Sequence, residues 1–298
     1  MRVIAIFGPT ASGKSAVAEA LARRIPAELV SADAMQVYRG LPVLTNQSPH
    51  PARLVAYLGL DEESSVAEYQ PLAHEAIDEI LAAGRTPVVV GGTGLYLRAA
   101  LSDLELPPPP APGARERFEE LYEELGPEGA HELLAERDAA AAAVVHANDR
   151  RRVVRALELA DAGSSLLPVA NRLWGAETRH PTLIVGLEVD PVALGRRIER
   201  RTHEMFERGV EDEVRQALRT QVSRTALTVH GLSDVAGLPR EAAIEALVAR
   251  TRRYAAYQRK WMRRIPGLVP VDAERPADEV AAEILSLAEQ VGSVAPAR

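Results

Sequence analysis

The sequence predicts an α/β protein, a parallel sheet flanked by helices and interrupted by an all-helical insertion. Three observations lead there. Short apolar runs at 3–7, 28–31, 86–90 and 182–189 alternate with segments of helical period, as when parallel strands are joined by helical crossovers. The first run, Val-Ile-Ala-Ile-Phe, is apolar at every position, as in a strand covered on both faces. Residues 113–163 are rich in Ala, Glu and Arg and carry no strand signal.

The elements follow in order. After the strand at 3–7, residues 16–24 read as a helix with apolar positions at 17, 18, 21 and 22. A second strand is expected at 28–31 and a weaker third at 53–60. An amphipathic helix spans 66–83 and ends at Gly84. The strand at 86–90 has Pro87 near its start, where a missing N–H is tolerated. Residues 107–110 and 112 are all proline, a stiff break that neither helix nor sheet crosses. Beyond the helical stretch come a strand at 182–189, long helices at 191–220 and 241–264, a short strand at 268–271 and a last helix at 276–290. The expected organisation is residues 1–110 as the first part of the α/β core, 111–179 as the helical insertion, and 180–298 as the rest of the core with basic C-terminal helices.

Composition narrows the function classes. The chain has 298 residues, 47% apolar and 26% charged, which is a globular balance. It has no cysteine, which excludes disulfides, thiolate metal sites and Cys nucleophiles and fits a reducing compartment. No apolar run approaches the roughly 20 residues that a bilayer needs, so no membrane association is expected. The short apolar N-terminal stretch does not suit a signal peptide, and a cytoplasmic protein is expected. Net charge is −7, but unevenly spread. Residues 250–264 hold seven bases and no acid, and Arg150, Arg151, Arg152 and Arg155 form another basic cluster. Such a patch binds phosphate whatever the total charge, although a solvated helix face would look the same. Of the 35 basic residues only Lys14 and Lys260 are lysines. Where any cation will do this sequence writes Arg, so a lysine marks a place that needs a compact ammonium.

Lys14 lies in such a place. Gly8-Pro9-Thr10-Ala11-Ser12-Gly13-Lys14-Ser15 fits G-x-x-x-x-G-K-[ST], between a strand and a helix as the motif requires. Its glycines let backbone N–H groups wrap an anion, and the helix N-terminus adds partial positive charge. Lys14 would neutralise the outer phosphate and Ser15 would ligate Mg²⁺. The sheet is therefore expected to be P-loop NTPase-like. The motif fixes a polyphosphate, without choosing ATP.

In open parallel sheets ligands bind beyond the carboxyl ends of the strands. Two further segments lie at such ends, Ser31-Ala32-Asp33 and Gly91-Gly92-Thr93-Gly94-Leu95-Tyr96. Asp33 suits a general base, a group near magnesium, or a helix N-cap. Thr93 suits a site hydroxyl or a turn hydroxyl bonded to its own backbone. Trp261 lies inside the basic stretch with Tyr254 and Tyr257 nearby, as in stacking platforms for single-stranded bases. The alternative for Trp261 is the apolar stripe of a surface helix.

Together, residues 8–15, Ser31-Ala32-Asp33-Ala34-Met35-Gln36-Val37-Tyr38-Arg39, residues 91–96, His146-Ala147-Asn148-Asp149 with Arg152 and Arg155-Ala156-Leu157-Glu158, and Gln258 with Trp261 and Arg263 resemble the bacterial tRNA dimethylallyltransferases over nearly the whole chain. Ala34 stands where that pattern has Ser. The resemblance implies transfer of a dimethylallyl group from its diphosphate to N6 of the adenosine just 3′ of the anticodon, in tRNAs reading codons that begin with U. It implies that residues 8–15 hold the diphosphate, with Mg²⁺ on Ser15. Asp33, Lys14 and Thr93 would be the catalytic side chains. Asp33, Ala34, Met35 and Gln36 would touch the extruded base. Thr93, Arg115, Arg151, Arg152, Val153, Val154 and Arg155 would contact tRNA, the insertion clamping the anticodon stem-loop. The expected partners are tRNA and dimethylallyl diphosphate, with the protein a monomer.

Three other readings share some of these features. A small-molecule kinase would use the same loop on ATP, with the 151–155 cluster as its lid. An isopentenyltransferase on free adenine nucleotides shares the core, but needs neither the insertion nor the basic stretch. A non-catalytic nucleic-acid-binding module has no use for an intact Lys14, Ser15, Asp33 and Thr93.

Overall fold

The computed structural model describes residues 2–107, 111, 113–167 and 172–293. Pro108, Pro109, Pro110 and Pro112 of the proline break lie outside the described residues. The chain divides into two compact units, Met1–Asp103 with Leu173–Arg298, and Leu104–Arg172.

The first unit is built on six parallel strands: β1 (Val3–Phe7), β2 (Ala27–Ser31), β3 (Ala52–Arg53), β4 (Thr86–Gly91), β5 (Thr182–Glu188) and β6 (Leu268–Asp272). Their order is β3-β2-β4-β1-β5-β6. β1 is central, with Phe7 opposite both Gly91 and Gly186, and all five of its residues are buried, as its unbroken apolar run required. The expected strand at 53–60 is reduced to two residues. Leu54 and Ala56 adopt φ of 62° and 51°, conformations that no strand contains, and the chain turns away there.

Helices α1 (Lys14–Arg24), α2 (Val66–Ala82) and α3 (Gly94–Leu101) follow β1, β3 and β4. Ser65 caps α2, its hydroxyl accepting from Glu68 N at 3.2 Å. The long helix expected over 191–220 is two, α7 (Pro191–Glu207) and α8 (Val210–Ala217), with α4 to α6 lying in the second unit. Gly209, at φ 84°, makes the break. Asp190 caps α7 and accepts from Val192 N and Ala193 N, both at 2.9 Å. Two short helices that the sequence pattern does not announce, α9 (Arg224–Leu227) and α10 (Leu232–Gly237), precede α11 (Arg240–Met262) and α12 (Ala277–Ser293). One core cluster joins Ile4, Ile6, Leu21, Val185 and Ile284, packing α1 and α12 on the sheet. Burying each such side chain contributes roughly 1.5–3 kcal/mol. No described helix is long and apolar enough to cross a membrane.

The second unit is all helical: α4 (Ala114–Arg137), α5 (Ala139–Ala142) and α6 (Arg150–Asp161). α4 kinks at Gly126, at φ 72°, just before Pro127. Phe118, Tyr122, Leu134, Val153 and Leu157 form its core. Glu158, whose side chain is fully buried there, accepts from Arg115 Nε at 2.5 Å and Nη2 at 3.0 Å, and from Arg155 Nη1 at 2.9 Å. The limits of the unit differ from the sequence boundaries of 111 and 179, because the buried Arg98 of the first unit donates to the carbonyls of Leu173 and Gly175, at 3.0 and 2.8 Å. Arg179 N also donates to Leu101 O at 2.8 Å. These bonds fasten 173–179 to the α/β unit.

Candidate active site

The site forms at the carboxyl ends of β1, β2 and β4. Residues 8–15 leave β1 and turn into α1 through Ala11 and Gly13, at φ 63° and 93°. Only glycine adopts the second of these cheaply. Gly8 is needed for closeness, since a Cβ there would stand 2.8 Å from Ser12 Oγ. Lys14 Nζ donates to Pro9 O at 2.7 Å. Burial lowers the Lys14 ammonium to about 8, with Asp33 opposing that shift and Arg201 adding to it.

Asp33 follows β2. It caps a tight turn and no helix, because its Oδ1 accepts from Met35 N at 2.9 Å. Gln36 is held by Ser31 Oγ and by the carbonyls of Thr45 and Asn46, each at 3.2 Å. Thr93 follows β4 at the start of α3. Its hydroxyl does not bond its own backbone: it accepts from Ala34 N at 3.3 Å and lies 3.4 Å from the Tyr254 hydroxyl. One cavity of about 590 Å³ has Thr10, Lys14, Ser15, Asp33, Met35 and Gln36 on its wall.

The sequence reading missed part of this wall. Arg201 on α7 donates to Thr10 Oγ1 at 3.0 Å. No pattern singles it out, because α7 also carries Arg196, Arg197 and Arg200. Leu247, Thr251, Tyr254 and Gln258 line the cavity from α11. The sequence already points to Tyr254 and Gln258; Leu247 and Thr251 were missed, although the spacing of four, three and four puts all four on one helix face. Burial pushes the Tyr254 hydroxyl well above its usual range, with Asp33 adding to the effect, so it stays a neutral donor.

Trp261 packs. A Cβ on Gly94 would lie 2.2 Å from its ring, and the Trp174 ring stands 4.8 Å away with the Arg264 guanidinium over it at 3.8 Å. Trp261 therefore packs on α3 while staying half-buried. Tyr257, edge-on to it, is exposed.

The remaining expected RNA contacts lie in the helical unit. Arg151 and Arg152 are exposed. Arg115 and Arg155 are engaged with Glu158. Val153 and Val154 are corrected: at 0% and 3% exposure their side chains belong to the core of the unit and cannot meet RNA.

Among the described residues no three His, Cys, Asp or Glu side chains cluster as a metal site. The partly buried Ser15 hydroxyl and the Asp33 carboxylate both face the cavity. A few oxygen donors suit Mg²⁺, which keeps waters and leans on the phosphates of a substrate, so the residues fit that ion.

A parallel sheet with this loop at the end of its central strand defines a P-loop-like α/β protein, with a cavity beside the loop. The IPP transferase model matches residues 36–265 and the isopentenyl transferase model residues 1–56. The chain is 38% identical over 296 residues to a tRNA dimethylallyltransferase of Corynebacterium efficiens, covering 95% of this chain and 98% of the relative. It is 40% identical over 278 residues to one of Streptomyces coelicolor, covering 89% and 88%. The solved tRNA isopentenylpyrophosphate transferase of Bacillus halodurans superposes with a TM-score of 0.70 at 29% identity, covering 98% of this chain and 97% of its own. The chain belongs to the IPP transferase family.

Proposed function

We propose that the protein transfers a dimethylallyl group from dimethylallyl diphosphate to N6 of the adenosine 3′ of the anticodon in tRNAs reading codons that begin with U, releasing diphosphate. The carrying observation is that the Lys14 loop and Asp33 line one cavity, with the Thr93 hydroxyl bonded to the neighbouring Ala34 N.

The chemistry follows from the groups. N6 attacks C1 of the dimethylallyl chain as the C1–O bond breaks, and the bonding electrons leave with the diphosphate. Negative charge grows on that leaving group, and Lys14, the loop amides and Arg201 are fixed beside it, the kind of preorganised stabilisation that usually contributes most. Mg²⁺ held on Ser15 and the phosphates would add positive charge there. The exocyclic amine is a weak nucleophile. Asp33 accepts the N6–H hydrogen bond and takes the proton as the nitrogen becomes positive. Thr93, aligned by Ala34 N and Tyr254, orients the base, with Met35 and Gln36 beside it. The adenine must leave its stack, at a cost of a few kcal/mol. The helical unit, through Arg151, Arg152 and the outer edges of Arg115 and Arg155, holds the anticodon stem-loop, and the enzyme works as a cytoplasmic monomer.

The test is incubation with labelled dimethylallyl diphosphate and bulk tRNA, with AMP, ADP and ATP in parallel tubes. Label appearing on tRNA adenosine alone supports the reading. Label on AMP or ADP overturns the polymeric substrate, and phosphoryl transfer from ATP overturns the prenyl donor.

A further inference from the structure

Gln258 is the buried side chain that reaches both loops of the site, and the mechanism above gives it no part. Its Oε1 accepts from Thr10 N at 2.8 Å, and its Nε2 donates to the Gly92 carbonyl at 2.9 Å. The residue is 2% exposed, so neither bond exchanges freely with water. A flipped carboxamide would set N–H against N–H and oxygen against oxygen, so the two partners fix its direction. Gly92 admits this approach, since a Cβ there would stand 2.2 Å from Nε2. Thr10 belongs to the diphosphate loop, and Gly92 adjoins Thr93. Among the described residues no backbone hydrogen bond crosses between 8–15 and 92–94. The ladder of β1 and β4 ends at Phe7 and Gly91, and beyond it the Gln258 carboxamide spans the two loops.

We propose that Gln258 is a positioning residue of the transfer: by tying Thr10 to Gly92 it fixes the separation of the diphosphate loop from the Thr93 loop, and with it the distance between donor C1 and acceptor N6. The inference rests on the proposed function. Displacement at C1 needs the incoming nitrogen opposite the bond that breaks, and a misplacement of about 1 Å costs on the order of 100-fold in rate. Gln258 lies on the cavity wall, but both ends of its carboxamide are engaged by the two loops, so its part is to hold them. Its loss therefore acts on kcat and leaves both KM values nearly in place.

The experiment compares the full-length wild type with Gln258→Leu, Gln258→Glu and Gly92→Ala, measuring kcat, KM for dimethylallyl diphosphate and for tRNA, and affinity for inorganic diphosphate. For Gln258→Leu we expect kcat to fall about 100-fold, with both KM values and diphosphate affinity within about threefold of wild type. Gly92→Ala displaces the same carboxamide from its other end and should show the same split. Gln258→Glu adds a readout that a merely structural role would not move. The protonated acid supplies an O–H for the Gly92 carbonyl and a C=O for Thr10 N–H, whereas the ionised form turns an oxygen on that carbonyl. Its kcat relative to wild type at the same pH should rise as pH falls from about 9 to about 6. The inference is overturned if Gln258→Leu keeps kcat or loses only in KM, or if the Gln258→Glu ratio is flat with pH. Should Gln258→Leu fail to fold, the Glu ratio decides alone. A wild type that transfers nothing overturns the proposed function and this inference with it; transfer by the wild type with kcat kept in the variants overturns the inference alone.

Discussion

Arg201, on α7, donates to the hydroxyl of Thr10, in the loop after β1, at 3.0 Å. A residue from the second half of the core thus reaches the loop proposed to hold the diphosphate, a contact that the loop motif alone does not describe. Burial lowers the Arg201 guanidinium below its ordinary value, with Asp33 opposing, but an arginine stays charged in proteins and remains a fixed cation.

Arg201→Ala should weaken donor binding by roughly 10–100-fold, the scale of a hydrogen bond to a charged group. Arg201→Lys should recover part of this, lacking the planar fork. Inhibition of turnover by inorganic diphosphate is the measurement, and an unchanged inhibition constant would remove Arg201 from the anion site.

Lys14→Ala should abolish turnover, and Lys14→Arg should serve poorly in place of a compact ammonium. The ammonium sits at about 8 in the free protein, so donor affinity should be highest below that pH and fall as pH rises through it. Bound diphosphate favours the charged form, so binding above about 8 should take up a proton, visible as a buffer-dependent heat in calorimetry. Affinity that is flat across this range would show that Lys14 does not face the donor.

Asp33→Asn keeps the shape and removes the base. The expected result is a large fall in kcat with tRNA binding little changed, as for an interaction made mainly in the transition state. If kcat holds and only KM for tRNA rises, Asp33 serves the turn that it caps at Met35 N.

Glu158 predicts a stability effect in the helical unit. Burial alone would raise its carboxyl, but hydrogen bonds from Arg115 and Arg155 outweigh that and hold it below the ordinary value of 4.5. Its contribution to stability is therefore complete above that pH and lost as pH falls below it. Glu158→Ala leaves two cations without their buried partner and should cost about 3–5 kcal/mol. Thermal unfolding at neutral pH measures it, and a cost below about 1 kcal/mol would place the pair in the weak surface class.

Arg151 and Arg152 supply the test of RNA binding by this unit, because Arg155 is tied to Glu158. Neutralising both should weaken tRNA binding and lower its log–log salt slope by up to roughly 0.7–0.9 for each phosphate that is no longer neutralised. Donor affinity should be unchanged. An unaltered slope would mean that this cluster is only solvated.

The core was legible because its signals are local. The apolar run of β1, the glycine loop after it and Gly84 past the end of α2 each act over a few residues. The failures are equally physical. The strand expected at 53–60 had β-like composition, but Leu54 and Ala56 take left-handed conformations that composition does not encode. The helix expected over 191–220 hid its break in one glycine. Lys14, Asp33 and Thr93 could be picked out because strand ends concentrate site residues. Arg201, Leu247 and Thr251 come from helices that meet the cavity only through tertiary packing.

The sheet order has a consequence for synthesis. β1 leaves the ribosome well before β5, yet β5 is one of its two neighbours, with Val3 opposite Thr182. Until residue 188 has emerged, β1 keeps an open apolar edge, while α4 to α6, whose contacts are local, can already close on themselves. Nascent chains stalled between α6 and β5 should therefore pair a folded helical domain with an aggregation-prone half-sheet, the sort of intermediate that chaperones hold.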